Sequence, residues 1–325
     1  MSERLDLLVV GAGPTGIAIG AEARRHGLSV LLVDRGPLTA AIQGFPTYME
    51  FFTTRDRLEI ADIPFTIPED KPNRRQALAY YRLVVDRYGI PLALYEDVRS
   101  IAGSCGAFRV TTDRRVLEAR AVALAFGYFV NPRRLGVPGE DLPWVSTRYV
   151  EPYPYYGRDV VLVGAGNTAA EAALDLWRNG ARVTLVHRRA EVKASIKYWL
   201  KPDLENRIAE GSIAARMSST VVAFHPEGSV EISGPQATER LPAHAAFVLL
   251  GYRPDVDFER RSGIELDPET LVPSFDPASC ESNVPGLYVA GTLQAGGATD
   301  RIFIENSRDH GVRIVSHLRT RLSGG

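Results

Sequence analysis

Short unbroken apolar runs, more than long alternating stretches, mark the hydrophobic pattern of this chain. Leu7–Val10, Ala121–Phe126, Ala245–Leu250 and Leu287–Ala290 are each continuous, and each stops at a glycine. Runs of that length bounded by turn residues predict buried strands. Phe108–Thr112 alternates instead and predicts a hairpin strand after Gly103–Gly106. Helical spacing over Pro72–Val85 turns Leu78, Leu83 and Val84 inward. The same spacing over Arg301–Leu318 aligns Ile304, Val312, Val315 and Leu318.

Two stretches share one pattern without a gap. Residues 6–35 read DLLVVGAGPTGIAIGAEARRHGLSVLLVDR, and residues 159–188 read DVVLVGAGNTAAEAALDLWRNGARVTLVHR. Each runs from an apolar strand through a glycine turn into a helix, then past Gly27 or Gly180 into a second strand. That context turns a glycine pattern into a dinucleotide-binding expectation. Gly11 and Gly164 permit the tight turn. Gly13 and Gly166 leave the backbone open to a pyrophosphate, and Gly16 and Ala169 keep the helix close to the strand. The helix N-terminus then offers unpaired N–H groups and the positive end of its dipole. The predicted fold is α/β, with two Rossmann-like, three-layer nucleotide-binding domains.

The strand exits at Gly127…Asn131-Pro132 and Gly251-Tyr252-Arg253-Pro254 match one another and predict two crossings of one boundary. The second domain, 129–252, is therefore expected to be inserted in a first made of 1–128 and 253–325. After the last strand, Gly291-Thr292 and a following helix are expected to offer backbone donors to a cofactor edge.

The copies differ at the end of their second strands. Asp34 presents a carboxylate that suits an adenosine ribose and repels a 2′-phosphate, so the first cleft is expected to take FAD or NAD. His187, Arg188, Arg189 and then Lys193 are cationic candidates for a 2′-phosphate, so the second is expected to take NADPH.

Composition narrows the classes. The 325 residues are 45% hydrophobic with a formal charge of −1, enough for two cores and too little positive charge for nucleic acid as the main partner. No apolar run approaches the roughly 20 residues that span a bilayer, and a soluble, cytoplasmic protein is expected. The two cysteines, Cys105 and Cys280, form no CxxC and are expected to be free thiols. No metal-ligand spacing occurs.

The two glycine motifs, the inserted second one, and the segments HRRAEVK, Phe126-Gly127 and Leu250-Gly251 together resemble the low-molecular-weight thioredoxin-reductase family over essentially the whole chain. FFTTRDRLEI, KPNRRQALAYYRLV, GYFVNPRRLGVPGEDLP and RIFIENSRDHG look like its bacillithiol-disulfide-reductase branch. The resemblance implies FAD at Gly11, Gly13, Pro14, Thr15, Gly16, Asp34, Arg35, Val98, Gly127, Gly291, Thr292 and the backbone around Ile302. It implies NADPH at Gly164, Gly166, Asn167, Thr168, Ala169, His187, Arg188, Arg189 and Lys193. It also implies a homodimer, and domains that rotate about the exits near Gly127 and Gly251.

Three departures bear on the electron acceptor. Pro152–Tyr156 carries no CxxC, which rules out two-step dithiol exchange on this chain alone. Thr15 stands where the branch commonly has Cys, and Gly291-Thr292 where the wider family has Gly-Asp. A low-molecular-weight disulfide such as bacillithiol disulfide, a flavodoxin or ferredoxin, and a low-turnover sensing role all stay open. Hydride transfer needs positioning more than proton chemistry, so no general base is assigned. Tyr48, Thr53 and Thr54 are candidate flavin neighbours and equally a packed aromatic loop.

Overall fold

The computed structural model describes residues 4–129, 131–299 and 301–323. Strand β1 (Leu5–Val10) leads through the first glycine turn to α1 (Pro14–Arg25) and β2 (Val30–Asp34). Short helices α2 (Ala40–Gln43) and α3 (Arg55–Leu58) precede α4 (Arg74–Tyr88) and β3 (Leu92–Leu94). The antiparallel β4 (Val98–Ala102), β5 (Phe108–Thr112) and β6 (Val116–Leu124) follow. Next come β7 (Val145–Ser146), β8 (Asp159–Val163), α5 (Asn167–Arg178), β9 (Arg182–Val186), α6 (Lys201–Ala209) and β10 (Ala214–Arg216). A small antiparallel sheet, β11 (Thr220–His225), β12 (Ser229–Ser233) and β13 (Thr238–Pro242), leads to β14 (Ala245–Val248). The chain ends with α7 (Val256–Arg261), β15 (Leu287–Val289) and α8 (His310–Ser323).

Two compact units result. One holds the chain up to Gly44, Tyr48–Asn131 and everything from Arg253 on; the other holds Phe45–Thr47 and Pro132–Tyr252. The change of unit thus falls at Asn131/Pro132 where the sequence suggested 128/129. Backbone pairing fixes the point: Asn131 O accepts from Arg253 N at 3.0 Å in the first unit, and Gly251 O accepts from Arg133 N at 2.9 Å in the second. Phe45–Thr47 groups with the second unit because Thr47 N donates to Val150 O at 2.7 Å.

In the first unit the sheet runs β3-β2-β1-β6, parallel, and continues antiparallel through β5 and β4. β6 carries two partners on one side: its N-terminal half pairs antiparallel with β5 (Phe108 opposite Ala119), and its C-terminal half pairs parallel with β15 (Leu287 opposite Val122). The unbroken run in β6 follows from this, since Ala121–Leu124 are fully buried. α8 packs on α1 so closely that a Cβ on Gly311 would stand 2.8 Å from Ala18 O. In the second unit the parallel order is β10-β9-β8-β14-β7, and alternate residues of β8 feed two cores, Val160 and Leu162 one, Val161 and Val163 the other.

Two helices depart from the sequence reading. α4 begins at Arg74 behind a capping box in which Asn73 and Gln76 exchange side-chain-to-backbone bonds. Its inward face is Ala77, Tyr80, Tyr81, Val84 and Val85, while Leu83 is 53% exposed. The aromatic pair takes the core positions, and Leu83 falls on the opposite side of the 3.6-residue turn. The last helix starts at His310, after a 3-10 turn at Ile304–Asn306, and its Val312 faces out while Ile314, Val315 and Leu318 are buried.

Glu259 of α7 is 1% exposed, and neither carboxyl oxygen has a hydrogen-bond partner. Burial, then the nearby Asp255, pushes its pKa up from 4.5 to about 7. The fold therefore favours the neutral acid, and stability falls as pH rises from about 4.5 to about 7, the loss being complete above that. Glu259→Gln is expected to raise stability at pH 8 by about 3 kcal/mol and to change it little at pH 4.5, read from urea midpoints of the flavin-loaded protein.

Candidate nucleotide-binding sites

The first cleft is built at the carboxyl end of β1. Gly11 adopts φ +117°, and a Cβ there would lie 2.5 Å from Ala125 O at the end of β6, so the turn needs glycine. A Cβ on Gly16 would stand 2.0 Å from Gly11 O, which is how closely α1 sits on the turn. Space opens in front of Gly13, where a Cβ would meet nothing within 4 Å. Pro14 occupies the first helical position, where its missing N–H costs nothing.

Asp34, at the end of β2, accepts from Ala12 N at 2.7 Å with one oxygen and from Gly36 N at 2.8 Å with the other. Burial raises its pKa against the pull of those two bonds. Each oxygen keeps a further lone pair for a hydroxyl. Glu96 N donates to Asp34 O at 2.9 Å, which brings the start of β4 and the buried Val98 beside this strand end. Arg35 is exposed next to it.

On the other flank the C-terminal segment closes against the glycine turn. Thr15 Oγ1 lies 3.3 Å from Ser307 Oγ, and a Cβ on Gly291 would come within 2.9 Å of the same Thr15 oxygen. Gly127 faces Thr292, whose Oγ1 would be 3.2 Å from a Cβ there. Thr15, Gly127, Gly291 and Thr292, far apart in sequence, thus meet in one place. Ile302 lies half-buried just before the 3-10 turn that carries Ser307.

Two expectations about this flank need correction. No α-helix follows Gly291 directly; a 3-10 turn, Gly291–Ala295, does. The Gly291 N–H is also already used, donating to His310 Nδ1 at 3.0 Å. Among the weak candidates, Tyr48 is 64% exposed, and Thr54 hydrogen-bonds the exposed Asp56 carboxylate, holding it below its usual range. Sequence reading missed Ser307 and His310, although both lie in RIFIENSRDHG.

The second cleft repeats the geometry. Gly164 has φ +123° with a Cβ position 2.5 Å from Leu249 O, and Gly166 faces open space. Ala169 replaces the third glycine and is fully buried, so this helix accommodates a methyl that its counterpart could not. A small crevice lies at the carboxyl ends of β8 and β14, lined by Thr147, Thr168 and Val248–Tyr252. That is the switch point of the sheet, where the strand order reverses.

The loop after β9 folds back over this turn. Lys193 N donates to Ala165 O at 3.3 Å, and Lys197 N to Asn167 Oδ1 at 2.9 Å. Arg188, Arg189 and Lys193 are exposed on that loop. His187 is not a cation of the set: it is buried, and desolvation, then Lys193, Arg188 and Arg189, lowers its pKa. A neutral ring is what a buried position among three positive charges favours.

Both clefts fit a dinucleotide. The positions in front of Gly13 and Gly166 are clear, and each helix start lacks a side-chain cap on its first-turn N–H groups. On the elements that build the second cleft, two buried polar atoms have no protein partner, His187 Nε2 just after β9 and Glu171 Oε1 on α5. Burial pushes the Glu171 pKa to about 7 against the attraction of Lys197. Among the described residues no cluster has the makings of a metal site, and no helix is long and apolar enough to cross a membrane. Both cysteines are free, Cys105 exposed and Cys280 buried.

Because His310 Nδ1 accepts from Gly291, the ring proton sits on Nε2. Burial lowers the pKa from 6.5 to about 4. The folded chain binds this proton only below about 4, so stability contributed by the neutral ring is lost as pH falls from about 6.5 to about 4. His310→Ala is expected to cost about 1–3 kcal/mol at pH 7, by orphaning the Gly291 N–H. The difference from the parent is expected to shrink at pH 4.5, read from urea midpoints.

Residues 8–291 match the family model described as pyridine nucleotide-disulphide oxidoreductase. The chain is 35% identical over 315 residues to bacilliredoxin reductase Bdr of Bacillus subtilis (strain 168), covering 97% of each. It superimposes on bacillithiol disulfide reductase Bdr (YpdA) from Bacillus cereus with a TM-score of 0.93 and 33% identity, over 98% of this chain and 100% of that one. A ferredoxin–NADP reductase of Ignicoccus hospitalis is 26% identical over 97% of this chain and 98% of its own length. The two-unit α/β architecture is that of the thioredoxin-reductase-like flavoproteins, and the chain is an oxidoreductase dependent on FAD and NADPH. It belongs to the pyridine nucleotide-disulphide oxidoreductase family.

Proposed function

We propose that the first unit holds FAD, the second holds NADPH, and the enzyme reduces a low-molecular-weight disulfide of the bacillithiol disulfide kind. One observation carries the division of labour: the two matching turns end in opposite charge, Asp34 at the first and Arg188, Arg189 and Lys193 at the second. The similarity to bacilliredoxin reductase Bdr over nearly the whole chain supports the acceptor.

FAD, when bound, would supply the two-electron relay of a net reaction in which NADPH, a proton and the disulfide yield NADP+ and two thiols. The chain's own residues bind and orient. Asp34 receives the ribose hydroxyls of the adenosine end, and the Thr15–Gly16 end of α1 faces the pyrophosphate. Gly127, Gly291 and Thr292 form the wall for the ring end, held in place by the His310 acceptor behind Gly291. In the second cleft the α5 N-terminus receives the pyrophosphate. The guanidinium groups of Arg188 and Arg189 receive the 2′-phosphate, and the crevice by Thr168 receives the nicotinamide end.

A second reading is favoured by Thr15, whose hydroxyl pairs with Ser307 at a place where no enzyme sulfur is available. Electrons would then go directly to a ferredoxin or flavodoxin. Anaerobic stopped-flow decides between the readings. NADPH should bleach the yellow protein, and bacillithiol disulfide should restore its colour within the turnover time. Recolouring by ferredoxin or flavodoxin alone would replace the first reading with the second, and a colourless protein that takes up no FAD would sink both.

Replacing Arg188 and Arg189 together by serine is expected to raise the KM for NADPH about 10- to 100-fold, with the KM for NADH nearly unchanged. Two charge-assisted bonds to a phosphate would be lost. Steady-state kinetics with both nucleotides measures this.

A further inference from the structure

Both thiols of the chain lie in the first unit, and both sit beside β15. Cys105 stands in the turn between β4 and β5, where a Cβ on Gly286 would come within 3.0 Å of its Cα. Gly286 precedes β15, whereas Gly291, in the wall proposed for the flavin ring, follows it. The chain between the two glycines is strand or extended, so they stand roughly 16 Å apart at about 3.3 Å per residue. A thiol that attacks a disulfide must reach bonding distance of its sulfur, and Cys105 is far from that wall.

Cys280 is fully buried. Its carbonyl accepts from Val289 N at 2.9 Å, and its thiol is hydrogen-bonded to the Gln294 side chain. Burial pushes the pKa of that thiol up, which disfavours the reactive thiolate. Nor are the two thiols placed to pair. Cys280 lies level with Val289 and Cys105 level with Gly286, an offset of about 10 Å along β15. A disulfide needs Cα atoms within about 7 Å, and both cysteines are free.

We propose that no thiol of this chain enters the reaction: no mixed disulfide forms between enzyme and substrate, and the loaded protein stores only the electron pair of its cofactor. This deepens the reading of the acceptor as a low-molecular-weight disulfide and rests on it. NADPH gives up a hydride, both electrons enter the substrate's S–S bond, and that bond breaks. The proton of the hydride and one from solvent end on the two sulfurs, so no group of the chain changes oxidation state.

Anaerobic titration of the FAD-loaded full-length protein with dithionite counts the stored electrons without any acceptor. Two per FAD are expected; four would reveal a reducible sulfur pair on the chain and overturn the proposal. Turnover of bacillithiol disulfide is then compared between the parent and a Cys105→Ser, Cys280→Ala double variant. The variant should keep the parent's rate within about twofold. A loss of about tenfold or more, with NADPH still bleaching the flavin at the parent's rate, would overturn the proposal. Should the variant not fold, rapid quenching of the parent during turnover and intact-mass spectrometry decide instead. No added bacillithiol half is expected, and a covalent adduct that forms as fast as turnover would overturn the proposal. If NADPH bleaches the parent and the disulfide does not recolour it, the acceptor reading fails, while the electron count still decides whether the chain holds a redox sulfur.

Discussion

The closeness of a helix to the strand before it controls both clefts. In each copy of the repeat the chain leaves a buried parallel strand, turns through a glycine at positive φ against a carbonyl of the neighbouring strand, and begins a helix at once. The turn has no room for a side chain at Gly11 or Gly164. For the same reason the helix N-terminus, with its unpaired N–H groups and positive dipole end, points into open space at the edge of the sheet. The capacity to bind phosphate there, which the proposed function uses, is a consequence of packing. The buried strands on either side keep the geometry fixed, and that rigidity lets a dinucleotide bind without ordering the loop first.

Within that common frame the copies diverge by one methyl and several charges. Ala169 shows that α5 stands slightly off its turn, where α1 at Gly16 touches the Gly11 carbonyl with no space to spare. The tighter first cleft is also the one clasped from behind, by Ser307 against Thr15 and by His310 against Gly291. A cofactor that stays in place through turnover suits such enclosure. One that must enter and leave suits a cleft bordered by a largely exposed loop, which is how residues 188–199 are disposed, anchored by the buried Val192 and Ile196.

Buried ionisable groups mark the places where folding and binding make different demands. His310 is kept neutral by burial and used as an acceptor, so its desolvation is offset by the backbone bond it makes. Glu259 has no such return, and both its oxygens are orphaned. Glu171 on α5 and His187 just after β9 lie between these cases: each has one buried polar atom without a protein partner. Polar groups left unpaired in the interior are costly.

The repeat, the glycine roles, the contrast between Asp34 and the basic strand end, and the buried strands were all legible along the chain, because each is a matter of local spacing and residue chemistry. Period and turn chemistry act over a few residues, and a buried strand carries its signal within itself. Contacts between distant segments were not legible. Nothing local shows that Ser307 meets Thr15, that His310 takes the Gly291 N–H, or that Lys197 is tied to Asn167. Whether Leu83 or Tyr81 faces the core was likewise decided by which side of α4 met the rest of its unit. His187 reads as a cation in sequence and becomes a neutral buried ring in the fold, since desolvation depends on everything packed around it. Local chemistry thus set the charge that each strand end carries, and long-range packing set which of its atoms are buried or already bonded.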